Sequence, residues 1–304
     1  MKIIVTAGKD SADIDAVACV IAYSELLNLE DKTSIPVIAG QFTASVTPTT
    51  LKWATNYENS YTPDGSERFV LVDMSDPEYS PIFVAQDRIN EVYDHRHGYQ
   101  SYWREKIRDC SHIEMVAACG TLIWEEFKKR SKSQDISDNS AKLLLASIVS
   151  NSLNFKTPLT TKRDRTAYAE LKEITGLSED WVNEYFLEQK RTLLGNFEKY
   201  LSADTNVYKI NSENFVIGQV ELWDAEKILS KKRNEIDSVM EKYKLFPWIV
   251  NILNIEKGFN YIYSKSESGK KIMEKKLGLV FENDVAKTNK LLLRKYITKI
   301  LREN

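Results

Sequence analysis

Within the first hundred residues, five side chains have the chemistry and placement to hold a cation. Asp13 and Asp15 sit two apart in the polar segment GKDSADID, Asp73 comes near the end of the run FVLVDM, and Asp94 and His95 end INEVYDH. Carboxylate and imidazole are the ligand set of a hard or borderline divalent ion, manganese or magnesium first, with zinc or cobalt also served. Two aspartates in one loop can diverge toward neighbouring ions while a third bridges them. Ions about 3.5–4 Å apart can together hold phosphoryl oxygens. The competing account is local: Asp13 and Asp15 cap a helix, Asp73 completes a turn and His95 packs. For any single residue the two accounts balance, but the recurrence of the set at successive strand ends favours the cation.

The flanking residues predict what positions these groups. Residues 3–7, IIVTA, suit a buried parallel strand, and residues 16–27 suit a mostly apolar helix whose amino end carries Asp13 or Asp15. Strand, polar loop and helix in that order place the loop at the carboxyl edge of a sheet, where open α/β folds bind ligands. Further strands are expected at 35–39, 69–74 and 89–95, with helices at 49–57, 115–127 and 141–149. A charged helix over 181–200 reads as a bridge between two domains. Beyond it, VYKI and NFVIGQVEL predict a hairpin, followed by a long helix at 224–243, strands at 246–255 and 259–265, and a final helix at 288–302. The fold class is therefore α/β, with a parallel-sheet amino-terminal domain at 1–188 and a smaller α/β domain at 189–304.

Composition narrows the function. At 304 residues the chain exceeds the usual size of a single core, and 42% hydrophobic content suffices for two. Forty-two basic residues against forty-four acidic ones give a net charge of -2, with no bulk attraction for nucleic acid or an anionic membrane. No apolar run is long enough to span a bilayer, and MKIIVTAGKD reads as a first strand rather than a signal peptide. Cys19, Cys110 and Cys119 form no CxxC pair, so Cys19 and Cys119 are expected as buried packing. A cytoplasmic protein is the expectation, with a homodimer left open.

The ordered motifs resemble the DHH phosphoesterase family, in the branch of manganese-dependent inorganic pyrophosphatases and exopolyphosphatase-like proteins. The first motif is similar to the stretch from Gly8 to Asp15, the second to Val70-Leu71-Val72-Asp73, and the Asp-His-His motif to Asp94-His95-Arg96. Gly120-Thr121 matches a small-residue motif that opens a helix. The resemblance continues through Ser150-Asn151-Ser152, Asp204 and the stretch Val216 to Glu221. It implies a DHH-associated carboxyl-terminal domain that closes over a phosphate-filled cleft, with Arg294 and Lys295 resembling that domain's basic pair. A solvated helix face is the competing account of those two residues.

The departures fall on the ligands. Lys9 stands where the family has its first metal-binding histidine, Arg96 where it has the second histidine of the Asp-His-His motif, and Asn151 where it has a late aspartate. The family's substrate-binding lysine falls at Asn206. Asn151 can still ligate through its carbonyl oxygen, and His97 is a weak substitute for the displaced imidazole. The resemblance implies metal-assisted hydrolysis of a phosphoanhydride or phosphomonoester, with inorganic pyrophosphate or short polyphosphate as first substrates. Asp13, Asp15, Asp73, His95 and Asn151 would hold metal, with Asp73 as the bridge if two ions bind. Asp94 would orient His95 or act as an outer ligand, and Arg96 and Lys9 would stabilise phosphoryl charge. One firmly bound ion is expected, held mainly by Asp15, Asp73 and His95, beside a weak second site. The alternative is a catalytically impaired binding or sensor protein for a phosphorylated small molecule. A nucleic-acid exonuclease ranks third, for want of a basic, aromatic-rich groove.

Overall fold

The run IIVT forms β1 (Ile3–Thr6), buried at every position as a strand inside a parallel sheet must be. The computed structural model describes residues 2–96, 98–210 and 213–302, apart from the side chain of Lys295. It comprises two units, Met1–Tyr185 and Phe186–Asn304.

In the first unit, β1 leads through β2 (Ser11–Ala12) into α1 (Ile14–Asn28). Then come β3 (Ser34–Val37), β4 (Gln41–Phe42), α2 (Pro48–Trp53), β5 (Arg68–Val72), β6 (Ile89–Asp94), α3 (Gln100–Ile107) and β7 (Ser111–Ile113). The helices α4 (Cys119–Lys129), α5 (Asp138–Asn151) and α6 (Lys162–Thr175) follow, and α7 (Trp181–Gly195) begins in this unit and continues in the second. The main sheet runs β3-β1-β5-β6-β7 and every pairing is parallel, as expected. Thirteen of the fifteen residues of α1 are buried, because it packs on β1 and β3 and is covered in turn by α4 and α5. Ile4, Phe69, Leu71 and Val92 form a core with Trp103 of α3.

Strand order reverses between β1 and β5. Such a switch point leaves a crevice at the carboxyl ends of the strands, where open α/β folds bind ligands. The loops after β1, β5 and β6 therefore supply the candidate groups.

The second unit contains α8 (Phe197–Ala203), β8 (Thr205–Ile210), β9 (Glu213–Leu222), α9 (Ile228–Glu241), β10 (Trp248–Asn254) and β11 (Phe259–Tyr263). It closes with α10 (Glu267–Leu277), β12 (Val285–Lys287) and α11 (Arg294–Arg302). Its sheet runs β12-β11-β10-β9-β8. The predicted hairpin is β8 with β9, antiparallel, while β9 and β10 are parallel and joined through α9. Ile217, Ile249, Ile262, Met273, Ile297 and Leu301 share its core.

Several boundaries differ from the sequence-based expectation for definable reasons. The helix expected from residue 115 begins at Cys119, because the backbone N–H of Ala117 is held by the buried Asp164 carboxylate and Ala118 is extended. The helix expected over 181–200 divides at Asn196 into α7 and α8. The final helix begins at Arg294 rather than 288. Asn260 exchanges hydrogen bonds with Thr288 and Leu292 and keeps that segment against β11.

Candidate metal centre

Asp13 is the N-cap of α1, its carboxylate accepting the N–H of Ala16 at 2.9 Å. Two residues further, in the first turn of α1, the Asp15 side chain leaves its own helix for the amino end of α4. It accepts Cys119 N on Oδ2 and Gly120 N on Oδ1, both at 2.8 Å. The amino end of a helix is a favourable place for a carboxylate, and both Asp15 oxygens are fixed by it. Cys19 adds a thiol contact to Oδ1 at 3.4 Å, and Asn151, at the end of α5, donates its amide to Oδ2 at 2.6 Å.

Asp73 lies one residue beyond β5 with φ of 51°, the left-handed region that an aspartate enters more readily than most residues. This bend turns its carboxylate into the crevice. His95 follows β6 directly. Its Nδ1 lies 3.3 Å from the Val116 carbonyl oxygen, a contact that favours the tautomer with the proton on Nδ1 and the lone pair on Nε2. Nε2 is buried and makes no directed hydrogen bond, standing 3.4 Å from Asp73 Oδ1 and 3.9 Å from Asp15 Oδ2. Ligand atoms of Asp15, Asp73 and His95 all lie within 4.8 Å of one another. A buried imidazole nitrogen without a partner, aimed between two fixed carboxylates, is the donor set a divalent ion completes.

The electrostatics express the same crowding. Burial, and then the Asp73 and Asp15 charges, push the Asp13 carboxyl up to about 7. Asp15 is raised by burial and by Asp73, against the pull of His95 and the α4 amides. Burial would raise Asp73 as well, but the Arg96 guanidinium and His95 hold it below its ordinary value. Burial disfavours a charged His95, yet Asp73 and Asp15 outweigh it and raise the imidazole.

The remaining predicted residues take varied places. Asp94 is buried and faces the backbone: its Oδ1 accepts His95 N and Arg96 N, and its Oδ2 accepts the Ser75 hydroxyl at 2.5 Å. Its carboxylate thus holds the main chain at His95 and Arg96. Arg96 places Nη1 2.7 Å from Asp73 Oδ1 and 3.1 Å from Asp94 Oδ1. The exposed Lys9 donates Nζ to the Glu78 carbonyl oxygen at 2.6 Å, and its N–H bonds Tyr79 O, so its ammonium is tied to the turn at 77–79. Asn151 presents its amide nitrogen to Asp15 in the observed arrangement. In the second unit, Arg294 donates to both the main-chain and carboxylate oxygens of Asp204, at 2.6 and 2.5 Å. Asn206 is an exposed position of β8. His97 and the Lys295 side chain lie outside the described residues. Cys19 and Cys119 are buried and unpaired as expected, with burial pushing Cys119 up to about 11.

One contributor escaped the reading of the sequence. Asp164 is fully buried and accepts the N–H of Ala117, the hydroxyl of Thr121, and both the N–H and hydroxyl of Thr161. It thereby clamps the turn at 116–121, which supplies Val116 O to His95 and two amides to Asp15. The capping box Thr161-x-x-Asp164 was the signal available for it.

Among the described residues no helix is long and apolar enough to cross a membrane. No family model matches the chain. A Bacillus cereus protein provisionally described as a manganese-dependent inorganic pyrophosphatase is 25% identical over 308 aligned residues, covering 97% of this chain and 96% of its own. A Lactobacillus delbrueckii protein with the same provisional description is 24% identical across 89% of this chain and 88% of its own. Among solved structures, a provisionally described family II inorganic pyrophosphatase of Methanococcus jannaschii superposes with a TM-score of 0.73 at 20% identity, covering 99% of this chain and 98% of that one. An exopolyphosphatase-related protein of Bacteroides fragilis gives 0.54 at 13% identity, covering 99% and 91%. The chain is thus similar, distantly but along nearly its whole length, to proteins described as probable manganese-dependent inorganic pyrophosphatases, and it shares the fold of the two solved structures.

Proposed function

We propose that this protein is a divalent-metal-dependent phosphoesterase of the DHH type, with inorganic pyrophosphate and then short polyphosphate as its first substrates. One observation carries the proposal: Asp15 from the first turn of α1 and Asp73 and His95 from the ends of β5 and β6 converge, with the imidazole Nε2 buried and without a directed hydrogen bond between the carboxylates. These three residues would hold the ion, and manganese is the metal to test first because the provisional descriptions of the sequence relatives specify it. A bound divalent ion supplies Lewis acidity toward a phosphoryl oxygen. The chain's own residues do the remaining work. The amides of Cys119 and Gly120 fix Asp15, Val116 O sets the His95 tautomer, and Asp94 fixes the turn that carries His95 and Arg96.

A second reading, a binding or sensor protein for a phosphorylated small molecule, draws on Arg96 and Asn151. Both spend their side chains on Asp73 and Asp15. Phosphate release from pyrophosphate and short polyphosphate, measured against manganese concentration in wild type and Asp73→Ala, separates the two. Turnover that follows manganese loading and falls to background in Asp73→Ala is the expected result. A folded, manganese-loaded wild type that binds imidodiphosphate and releases no phosphate from either substrate would transfer the assignment to the binding protein.

A further inference from the structure

Around the candidate centre stand more carboxylates than the two counted among the ligands of one ion. Asp13, Asp15, Asp73 and Asp94 gather at the same sheet edge, three of them buried. The cation in contact with them is Arg96. Its Nη1 reaches Asp73 Oδ1 at 2.7 Å, the Asp73 carbonyl oxygen at 2.6 Å and Asp94 Oδ1 at 3.1 Å, while Nη2 faces Asp73 Oδ2 at 3.3 Å. The fork thus engages both oxygens of Asp73 and links it to Asp94. Its own backbone N–H is held by that same Asp94 oxygen at 3.2 Å. A guanidinium stays charged at any working pH and cannot leave as an ion can. Lys9, the other basic residue of the first motif, is committed to the Glu78 carbonyl oxygen.

We propose that Arg96 is a built-in cation that takes the place of a second divalent ion, so that the centre is one metal plus one guanidinium. The proposal rests on the phosphoesterase reading for its metal but not for its test. Two features make Arg96 more than a surface salt bridge. It contacts Asp73 on the side chain and the main chain together, at a residue whose backbone is in the left-handed region. It also reaches Asp94 Oδ1 at 3.1 Å, so that one guanidinium answers two buried carboxylates at once. A second ion using Asp13 and Asp73 would need the Asp73 oxygens that Arg96 holds, and would sit against a fixed positive charge. The side chain is 47% exposed, so the guanidinium also offers part of its edge outward, where a phosphoryl oxygen could share it.

The test is metal stoichiometry in the full-length chain, by calorimetric titration with manganese and by electron paramagnetic resonance of the loaded protein. Wild type should bind one ion per chain and show the spectrum of an isolated manganese. Arg96→His and Arg96→Gln, which remove the fixed charge, should double the manganese bound at saturation, and the shared Asp73 should couple the two spins. Arg96→Lys keeps the charge and should stay at one ion, which guards against a general loss of structure in the other variants. Two coupled ions in wild type would overturn the proposal and leave the phosphoesterase reading standing. So would folded Arg96→His and Arg96→Gln proteins that still bind one. A wild type that binds no manganese would remove the metal-dependent reading itself.

Discussion

Gly120 is the point at which packing and ligand chemistry meet, and Gly120→Ala tests their coupling. Its N–H holds Asp15 Oδ1 at 2.8 Å, while a methyl group added to its Cα would overlap the Ser147 hydroxyl and lie 3.3 Å from Ser147 Cβ. Ser147 is on α5 and fully buried, so the overlap has to be relieved by turning its side chain or by pushing the start of α4 outward. Overpacking of this kind costs about 1–3 kcal/mol, against which an alanine in a helix recovers up to about 1 kcal/mol. Outward movement of α4 also stretches the two amide bonds to Asp15, each worth about 1.5–3 kcal/mol as a hydrogen bond to a charged group. Manganese affinity should therefore fall by roughly 10- to 100-fold, the usual consequence of disturbing a group that orients a ligand. The Ser147 hydroxyl is buried with no hydrogen-bond partner, so Ser147→Ala alone should be neutral or stabilising by up to about 1 kcal/mol. The double variant should regain most of the lost affinity, because the overlapping oxygen is gone and only the 3.3 Å approach remains. Calorimetric titration with manganese and thermal melts of the metal-free chain across this cycle give the coupling directly. Wild-type affinity in Gly120→Ala, or no rescue in the double variant, would refute the link between α4 packing and Asp15.

Two further expectations follow from groups outside the ligand set. Asp164→Ala strips acceptors from Ala117, Thr121 and Thr161 and should destabilise the chain by about 3 kcal/mol or more, with weaker manganese binding; Asp164→Asn, which keeps one acceptor oxygen, should recover part of both. Unchanged manganese affinity in a destabilised Asp164→Ala would confine that residue to folding. Burial would raise Glu126, but Lys129 and Arg130 hold it below its ordinary value of 4.5, so its ion pairs stabilise the fold above that pH and the benefit is lost as acid carries the solution down through the lowered value. Urea melts of wild type and Glu126→Gln should differ by up to about 1 kcal/mol near neutrality and converge in acid once the pH falls below the lowered value; a difference independent of pH would exclude this assignment.

Strong periodicity made the sheet and the strand-end acids readable. Residues 3–7 and 69–72 are short apolar runs of the length of a buried strand, residues 89–94 mix apolar and polar positions, and the loops that follow carry the polar groups. Elements with little apolar content stayed hidden. In α6 only Asp164, Ala167 and Leu171 are buried, α10 is mostly charged with Met273 as its buried apolar residue, and β7 is three half-buried residues long. The partners of the polar groups were hidden for another reason. Whether Lys9 reaches the acidic cluster depends on the turn at 77–79, whose carbonyl oxygens capture it, and nothing in the spacing of the first loop reveals that turn. Arg96 offered a fork for phosphate in sequence; its pairing with Asp73 accompanies the left-handed bend after β5, which an aspartate tolerates better than most residues but does not by itself dictate.

The two departures closest to the ligands make sense as one electrostatic change. Where the family resemblance leads one to expect an aspartate, Asn151 brings a neutral amide that donates to Asp15 Oδ2 at 2.6 Å. Where it leads one to expect a histidine, Arg96 brings a permanent positive charge to Asp73 and Asp94. Removing one negative charge and adding one positive charge shifts the centre by the charge of a single divalent ion. In a buried cluster such a shift cannot be left to solvent, because carboxylates in low dielectric repel one another strongly unless a cation or a donor answers each of them. Asp15 is answered by two α4 amides and Asn151, Asp94 by two backbone N–H groups and Ser75, and Asp73 by Arg96. What remains is Nε2 of His95 between Asp15 and Asp73, a place that one divalent ion could fill. On the proposal that Arg96 stands in for a second ion, the two substitutions together lower the number of divalent ions the centre would need.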